Sequence, residues 1–364
     1  MIYLVDLEYV ESRYTSQWKT EFPALFKWHG LDVKVIEGPA DIAACTTPGA
    51  FLNFSGTNVY KAEQVKRIAN LFTSNDIKDG DQFVFADAWH PGVINLKYMA
   101  ELLGIKIKIH GLWHAGSYDS QDFLGRLIGN AGWVRHAEKS MFECYDYNWF
   151  ASDFHIDLFI EEMLDTDKRT GRIRYMDTAK GKISKTGWPM DYLHNEISCD
   201  KVGTNKDDII LFPHRIAPEK QPEIFEDLAN ELPEYKFIFC QKMNLSKKEY
   251  HALLGKAKMV FSANTQETLG IGCFEALCAN AIPLVPDRLS YTEMYYSEFK
   301  YDSEWTESMD SYMKHKEKLI SRIRNLMSNY STDAVQSVIN TNREFLECDY
   351  FSAESLVEKI KEVM

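Results

Sequence analysis

Two glutamates at a fixed spacing flank a glycine-containing turn in the second half of the chain. Glu267 and Glu275 are separated by seven residues, and Thr268-Leu269-Gly270 lies between them. The turn follows one apolar run and leads into a helical pattern, so it is predicted to join a strand to a helix. Backbone N–H groups at the beginning of a helix can hold a phosphate or a hydroxyl group. The two carboxylates can accept hydrogen bonds from a sugar and from a ribose.

A pair of basic residues lies after an upstream strand in the same half. Arg215 follows the apolar run at 209–212, and Lys220 comes at the beginning of the next predicted helix. An arginine fork and a lysine point charge together suit a diphosphate. The alternative is a salt-bridged loop, in which Glu219 pairs with these cations and no ligand is bound.

Short apolar runs alternate with amphipathic stretches, and this pattern predicts the elements that position these side chains. The strands predicted in the first half are 2–5, 33–36, 51–54, 83–86 and 105–109, with helices over 16–28, 62–72 and 99–103. The strands predicted in the second half are 209–212, 236–240, 259–262 and 282–285, with helices over 218–232, 250–254 and 274–279. Such alternation indicates an α/β chain with parallel sheets. Open parallel sheets bind ligands at the carboxyl ends of their strands.

These residues together resemble those of the retaining glycosyltransferases with the two-Rossmann (GT-B) architecture, especially the large family four. The match consists of the Arg215 and Lys220 pair, the Glu267-x7-Glu275 motif and the run EALCANAIPLVPD that begins at the second glutamate. One departure is Asn280, which stands where that family usually has glycine. Asparagine also tolerates a left-handed backbone, so the departure is mild.

The resemblance implies two Rossmann-like domains with parallel sheets that face each other across a cleft. It further implies that Arg215 and Lys220 bind the donor diphosphate, that Glu267 binds sugar hydroxyls and that Glu275 binds the ribose. The residues predicted to bind the donor are Arg215, Lys220, Glu267, Thr268, Leu269, Gly270 and Glu275. The predicted domains are an acceptor-side domain over 1–200, a nucleotide-sugar-binding domain over 207–345 and a C-terminal helix over 346–364 that could cross back.

One histidine of the first half is predicted to approach the donor sugar. His114 follows a predicted strand and resembles the family's loop histidine, although an ordinary packed or surface histidine is the alternative. The resemblance implies a retaining reaction without a protein nucleophile, metal or cofactor, with a UDP-sugar as co-substrate. Fixed cations would stabilise the leaving diphosphate, and a phosphate oxygen would take the acceptor's proton. The residues predicted to be catalytic are His114, Arg215, Lys220 and Glu267.

The composition narrows the class of protein. The 364 residues contain 41 Lys and Arg against 54 Asp and Glu, for a net charge of −13, which argues against coating nucleic acid or anionic lipid through bulk charge. Seven cysteines without a CxxC pair are typical of thiols in a reducing compartment. No apolar run reaches the length of a membrane span. We therefore expect a cytoplasmic protein without a membrane partner.

One segment departs from this acidic background. Residues 168–185 contain seven basic residues and a single acid, Asp177. A concentrated basic hairpin or loop suits one polyanion, such as double-stranded DNA; the alternative is a solvated loop whose charges balance nearby acids. The residues predicted to contact the acceptor are Arg172, Arg174, Lys180, Lys182, Trp89 and Trp113, the two tryptophans as platforms for a flipped base.

The best prediction for the acceptor is hydroxymethylated cytosine in phage DNA. The chain is similar in size, in its lack of membrane elements and in its 13% aromatic content to the bacteriophage enzymes that glycosylate this base. Such an enzyme would modify DNA in the cytoplasm of a host cell. The alternatives are a glycosyltransferase directed to a glycan or small molecule, a sugar-nucleotide epimerase of the same fold, and a nucleic-acid-binding module. The sequence leaves the oligomeric state open.

Overall fold

The chain folds into two compact units. The computed structural model describes residues 1–11, 13–42, 47, 53–129, 131–176, 181–200 and 206–364. Unit 1 comprises Met1–Met190 together with Ser352–Met364, and unit 2 comprises Asp191–Phe351. The last thirteen residues of the chain thus complete the first unit.

Unit 1 is built on a six-stranded parallel sheet. Its strands follow the order β2-β1-β3-β4-β5-β6. They are β1 (Ile2–Val5), β2 (Val33–Ile36), β3 (Gln82–Phe85), β4 (Lys108–Leu112), β5 (Tyr147–Phe150) and β6 (Ile183–Lys185). Ile2 pairs with Val33 on one side and with Gln82 on the other, which places β1 inside the sheet. Strands buried on both faces read as continuous apolar runs, and IYLV of β1 is fully buried.

Helices surround this sheet, and the chain's last helix belongs to the same unit. The helices are α1 (Tyr14–Trp28), α2 (Phe54–Thr73), α3 (Gly92–Leu103), α4 (Phe123–Ile128), α5 (Gly132–Cys144), α6 (Asp153–Leu158) and α7 (Lys168–Tyr175), and later α15 (Glu354–Glu362). A π-helical turn (Phe159–Met163) continues α6. The buried Gln82 side chain donates a hydrogen bond to the carbonyl of Ile360 over 3.2 Å, which ties α15 to the beginning of β3.

Unit 2 has a second parallel sheet, with the strand order β11-β10-β9-β7-β8. Its strands are β7 (Asp207–Phe212), β8 (Lys236–Phe239), β9 (Ala257–Phe261), β10 (Ile282–Pro286) and β11 (Lys300–Tyr301). Its helices are α8 (Leu193–Asp200), α9 (Pro222–Glu231), α10 (Lys247–Lys256), α11 (Ile271–Cys278), α12 (Tyr291–Met294), α13 (Met309–Ser328) and α14 (Asp333–Asp349). The strand order reverses between β7 and β9, and such a reversal opens a crevice outside the carboxyl ends of the two strands.

The predicted α/β class with two Rossmann-like parallel sheets is confirmed, whereas several elements differ from the prediction. Phe54 opens α2, so the strand expected over 51–54 is wrong there; residues 51 and 52 lie outside the described part. The strand expected over 105–109 begins instead at Lys108. Strands β5 and β6 were not predicted. The segment expected as a basic hairpin or loop contains α7 and β6.

Three histidines of unit 1 are buried in a neutral form. Burial lowers the pKa of His90, His110 and His155 to about 3. Each has a neutral partner: Gln64 for His90, Gln82 for His110 and Tyr118 for His155. The unfolded chain binds protons at these positions below pH 6.5 and the folded chain does not, so acid favours unfolding.

We expect unit 1 to lose stability between pH 7.5 and pH 5.5. Each of the three histidines contributes a loss of about 1.4 kcal/mol over this range. Asp6 acts in the opposite direction, because burial raises its pKa to about 6. Its protonation as the pH falls adds about 1 kcal/mol to the free energy of unfolding. Hydrogen exchange of the β3 and β4 amides at the two pH values measures the net loss, to which these four groups are expected to contribute about 3 kcal/mol. His110→Gln should remove about a third of the histidine effect, whereas the exposed His136→Gln should not; equal effects would contradict the assignment.

Candidate functional site

The loop after β7 carries a cation that is already paired with a buried carboxylate. Arg215 donates from Nε to Glu219 Oε1 over 3.0 Å, and its terminal Nη2 bonds the same oxygen. Burial opposes the charge of Glu219, but Arg215 overrides it and holds the pKa of that carboxyl below its usual value. The salt-bridged loop considered as the alternative therefore forms, and the Arg215 guanidinium is oriented by it at the crevice between β7 and β9.

Lys220 ends the next short turn and reaches the loop after β9. The 3-10 turn Pro218–Lys220 positions it, and its side chain is only 8% exposed. Its Nζ donates to the carbonyl of Gln266 and lies 3.3 Å from Glu267 Oε2. The lysine predicted for the diphosphate and the first glutamate of the motif thus form an ion pair.

Glu267 is held as an ionised acceptor at this edge of the sheet. Its Oε2 also accepts from Asn264 Nδ2 over 3.3 Å, and its Oε1 accepts from the N–H of Thr268 over 3.2 Å. Burial by itself would raise the pKa of Glu267, yet the neighbouring Lys220 charge lowers it below the usual value. A carboxylate fixed in this way can orient further hydrogen-bond donors that approach it.

The turn between the two glutamates depends on glycine. Gly270 has φ +77° and caps α11 at its beginning. A Cβ at this position would lie 2.7 Å from Cε1 of Tyr291, so any larger residue meets both backbone strain and a ring. Thr268 and Leu269 are buried in the same turn. The turn therefore brings backbone amides, rather than bulky side chains, to the beginning of α11.

Glu275 lies on α11 in a second, separate cluster of polar groups. Its Oε1 is 2.6 Å from Lys247 Nζ, and its Oε2 accepts from the Tyr250 hydroxyl over 3.0 Å. Burial opposes the charge, but Lys247 and His251 lower the pKa of Glu275 to about 2. The two motif glutamates are thus both ionised, each with its own lysine; Glu275 is buried and Glu267 is half-buried.

Sequence reasoning missed the residue that holds the β9 loop in place. Arg288, two residues after the end of β10, donates to the carbonyls of Ala263 and Asn264, each over 2.7 Å. It also bonds the carbonyls of Ser303 and Thr306 at 2.9 and 3.1 Å. A basic residue following a strand at the same sheet edge is the signal that could have identified it, as it identified Arg215.

In unit 1, His114 follows β4 and has both ring nitrogens engaged. Its Nδ1 is 2.7 Å from the Tyr14 hydroxyl, and its Nε2 is 2.7 Å from the carbonyl of Ala86. Burial lowers its pKa, so the ring is neutral at physiological pH. The Trp188 ring packs against it at 4.2 Å between centroids. The structure thus orients His114 by internal contacts that a ligand would have to replace or extend.

The two tryptophans predicted as base platforms have different environments. Trp113 is fully buried, and its indole N–H donates to Asn148 over 2.8 Å. A ring in the core offers no face to a ligand unless it leaves the core. Trp89 is half-buried and donates to Glu138 over 2.9 Å.

The basic segment is largely neutralised by acids from other parts of unit 1. Arg172 bonds Asp153 at 2.8 Å and Asp157 at 2.6 Å, and Lys182 bonds Glu143 at 2.6 Å. Lys168 also pairs with Glu161 at 3.5 Å, and Lys185 with Asp153 at 3.1 Å. Arg174 is exposed and lies over the Tyr175 ring, whereas Lys180 lies outside the described residues. The charge balance considered as the alternative is therefore present for four of the cations.

Among the described residues no group of three or more His, Cys, Asp or Glu side chains could hold a metal ion. None of the helices there combines the length and apolarity needed to cross a membrane.

Solved structures of other proteins share this architecture, although no sequence relative is found. The sequence matches no protein-family model and no curated protein. The catalytic domain of starch synthase IV from Arabidopsis thaliana, bound to ADP and acarbose, is similar in structure, with a TM-score of 0.59, 10% identity and coverage of 100% of this chain and 97% of that one. HepE from Anabaena, in complex with UDP and glucose, gives a TM-score of 0.55 at 11% identity over 99% and 98% of the two chains.

A third similar structure is longer than this chain. The pneumococcal O-GlcNAc transferase GtfA, in complex with UDP and GlcNAc, gives a TM-score of 0.53 at 11% identity. The match covers 83% of this chain, which spans only 60% of the length of GtfA. At such identities the likeness concerns the fold. The chain therefore has the GT-B fold, with two Rossmann-like domains, that these glycosyltransferase structures share.

Proposed function

We propose that the protein is a retaining glycosyltransferase of the family-four type, which moves a sugar from a nucleotide-sugar to a hydroxyl acceptor. The observation that carries this proposal is the Lys220–Glu267 pair at the reversal of strand order between β7 and β9. This is the crevice in which doubly wound sheets bind nucleotides. A buried cation and an ionised carboxylate side by side suit a ligand that has both a diphosphate and a sugar.

Each polar group then has a role in donor binding. Arg215 and Lys220 contact the diphosphate, and the amides of the turn before α11 contribute at its phosphate oxygens. Glu267 accepts hydrogen bonds from sugar hydroxyls, and Glu275 accepts them from the ribose. Glu219 holds Arg215 in position before the donor arrives, and Glu267 does the same for Lys220. The cations therefore need little rearrangement when the donor binds, which lowers the free-energy cost of the reaction.

The reaction breaks the bond between the sugar's anomeric carbon and the diphosphate oxygen. The acceptor oxygen forms the new bond on the face that the diphosphate leaves, and its proton passes to a diphosphate oxygen. The charge that develops on the leaving group is stabilised by Arg215 and Lys220. For His114 we keep the role that the resemblance implies, a contact with the donor sugar.

For the donor we propose a UDP-sugar. Two of the similar structures hold UDP, whereas the starch synthase holds ADP. Incubation with UDP-glucose, UDP-GlcNAc and ADP-glucose, followed by measurement of nucleotide release, distinguishes these donors. Product formed without any acceptor, by inversion of a sugar carbon, would instead identify an epimerase.

For the acceptor we propose hydroxymethylated cytosine in DNA, on the strength of the basic segment. Arg174, Lys180 and the exposed parts of Arg172 and Lys182 would contact the DNA backbone, and Trp89 the flipped base. Four of the basic side chains already pair with acids, so the remaining positive charge is smaller than the sequence count. Transfer to hydroxymethylated but not to plain DNA is the expected result; transfer to a glycan alone would reject DNA as the acceptor.

The donor role of Glu275 has its own test. Glu275→Gln keeps the shape of the side chain but removes the charge that accepts from a ribose, and we expect UDP to bind about 10- to 100-fold more weakly. Titration calorimetry with UDP measures this change. Glu226→Gln, an exposed carboxylate of the same unit, is the matched control. Unchanged UDP affinity in a folded Glu275→Gln protein would remove Glu275 from the site.

A further inference from the structure

The outer face of α3 in unit 1 carries a row of exposed apolar side chains. Ile94, Tyr98 and Leu102 follow one another at intervals of four residues, and they are 38%, 65% and 68% exposed. Residues four apart on a helix are neighbours on its surface, so these side chains form one continuous row. Leu103, which is 58% exposed, widens the row at its end. We call these four residues the α3 stripe.

The helices on either side of α3 have polar outer faces. Both α2 and α5 pack against α3. The outer face of α2 carries the exposed Lys66 and Arg67, and that of α5 carries the exposed His136 and Ser140. Single exposed apolar residues are ordinary on a protein surface, whereas a contiguous apolar patch with a polar rim is typical of a protein interface. The α3 stripe and its neighbours have this second arrangement.

One flank of the α3 stripe carries two opposite charges at the same four-residue interval. Lys97 Nζ lies 3.5 Å from Glu101 Oε1. Asp146, which follows α5, lies 3.7 Å from the same ammonium group, so this flank faces α5. The Glu101 side chain is largely exposed, and that of Lys97 is about one-third exposed. Both charges can therefore be reached by a surface that docks on the stripe.

The α3 stripe is complementary to a second copy of itself. If two α3 helices pack antiparallel about a two-fold axis at Tyr98, each Ile94 meets the second copy's Leu102, and the two Tyr98 rings meet each other. The same axis places equal flanks of the two helices side by side. With a rise of about 1.5 Å per residue, each Lys97 then lies within about 3 Å, along the helix axis, of the second copy's Glu101. One symmetry operation thus matches both the apolar and the charged groups, as an interface between identical surfaces requires.

We propose that the α3 stripe is the interface of a homodimer, in which two copies of the chain pack their α3 helices antiparallel. Lys97 of each copy pairs with Glu101 of the other. A lipid surface fits this face less well, because anionic headgroups attract an excess of basic residues, and here Glu101 and Asp146 outweigh Lys97. The proposal concerns assembly, and it goes beyond the proposed transferase activity without depending on it.

The size of the α3 stripe determines how strong a dimer we expect. The helix has 12 residues and is therefore about 18 Å long. Stable dimers bury more than about 1,000 Å² in total, and one short helix from each copy supplies only the centre of such an interface. We therefore expect a weak dimer with a Kd of about 10 µM. Sedimentation equilibrium of the full chain between about 1 and 100 µM measures this constant.

Tyr98→Ser and Leu102→Ser test the apolar contact. Each variant removes a side chain that is mostly exposed, so the melting temperature of the dilute protein should stay close to that of the wild type. The Kd of the dimer should rise at least about tenfold, because these residues lie at the centre of the interface. Leu127→Ser removes a leucine of similar exposure, 62%, from α4 and should leave the Kd unchanged.

Reversal of the two charges tests the antiparallel arrangement. Lys97→Glu and Glu101→Lys each bring like charges together across the interface, so each variant alone should be monomeric at about 100 µM. An equimolar mixture of the two variants should form a heterodimer, because the acidic flank of one then faces the basic flank of the other. The double variant Lys97→Glu with Glu101→Lys should dimerise as the wild type does. A fluorescent label on one variant detects the mixed species in the ultracentrifuge.

Three results would overturn the antiparallel dimer. They are a wild type that stays monomeric at about 100 µM, a Kd that is equal in Leu102→Ser and the wild type, and a mixture of charge variants that does not associate. Flotation of the wild type, but not of Leu102→Ser, with vesicles of phosphatidylcholine and phosphatidylserine would assign the stripe to a lipid surface instead. UDP affinity should be the same in all these variants. Failure of the wild type to bind any nucleotide-sugar would reject the transferase and leave the dimer standing.

Discussion

Lys220→Met should reduce the rate of sugar transfer by about 10²- to 10³-fold, which is the usual loss when one fixed donor to a developing negative charge is removed. Lys220 is the more buried of the two cations at the β7–β9 crevice, and its Nζ is fixed by Gln266 and Glu267. A charge that is fixed and shielded from water stabilises a leaving diphosphate more than a solvated one. The turnover rate at saturating donor, together with UDP affinity, measures the effect.

The loss of a buried charge could also disturb the fold, and two variants separate the causes. Lys220→Met leaves Glu267 without its cation, so the double variant with Glu267→Gln should recover the melting temperature but not the activity. Lys242→Met removes an exposed lysine of the same unit and should leave turnover unchanged. A decrease of less than tenfold in the folded single variant would show that Lys220 does not contact the diphosphate.

Arg288→Met should destabilise unit 2 by about 3–4 kcal/mol, because four backbone carbonyls lose a charged donor at once. These carbonyls belong to two separate segments, the loop after β9 and the 3-10 turn Ser303–Thr306. The guanidinium therefore joins the loop that carries Glu267 to the rest of the unit. Urea denaturation followed by hydrogen exchange in β9 and β10 measures the change.

A matched arginine provides the control for this experiment. Arg324 pairs with Glu234 on the surface, and Arg324→Met should cost less than about 1 kcal/mol. Arg288→Lys should recover only part of the stability, because a lysine cannot supply the planar fork that reaches both segments. If Arg288→Met and Arg324→Met were equally mild, the loop would be held by other contacts.

The positions of Arg215 and Glu267 in the fold were predictable because they follow from a simple rule. Arg215 and Glu267 each follow a recognisable apolar strand, and parallel strands bring their carboxyl ends to one edge. The helix after Gly270 was predictable because a helical pattern follows the turn in the sequence. The Arg215–Glu219 pair was foreseen as an alternative, but the partners of Glu275 were not predictable, since Lys247 and Tyr250 approach it from a helix that no local pattern relates to it.

The basic segment shows the limit of counting charges along the chain. Its 18 residues are strongly basic in the sequence, but Glu143, Asp153 and Asp157 lie before it and become its neighbours only in the folded unit. The strand β5 was missed for a related reason. Its central Asn148 reads as polar, although in the structure it is buried and accepts from Trp113. In both cases the outcome depends on residues that come into contact only in the folded unit, so the local sequence does not show it.

Unit 1 is made of two separate stretches of the chain, and this affects how it folds during synthesis on the ribosome. Unit 2 is one continuous stretch, so it can fold as soon as Phe351 has left the exit tunnel. Most of unit 1 precedes unit 2 in the chain, yet its helix α15, with Leu356, Val357 and Ile360 buried, is synthesised only after unit 2. The nascent sheet of unit 1 must therefore wait, with that apolar patch uncovered, while the whole of the other unit is translated. This interval is when a chaperone would have a hydrophobic surface to bind.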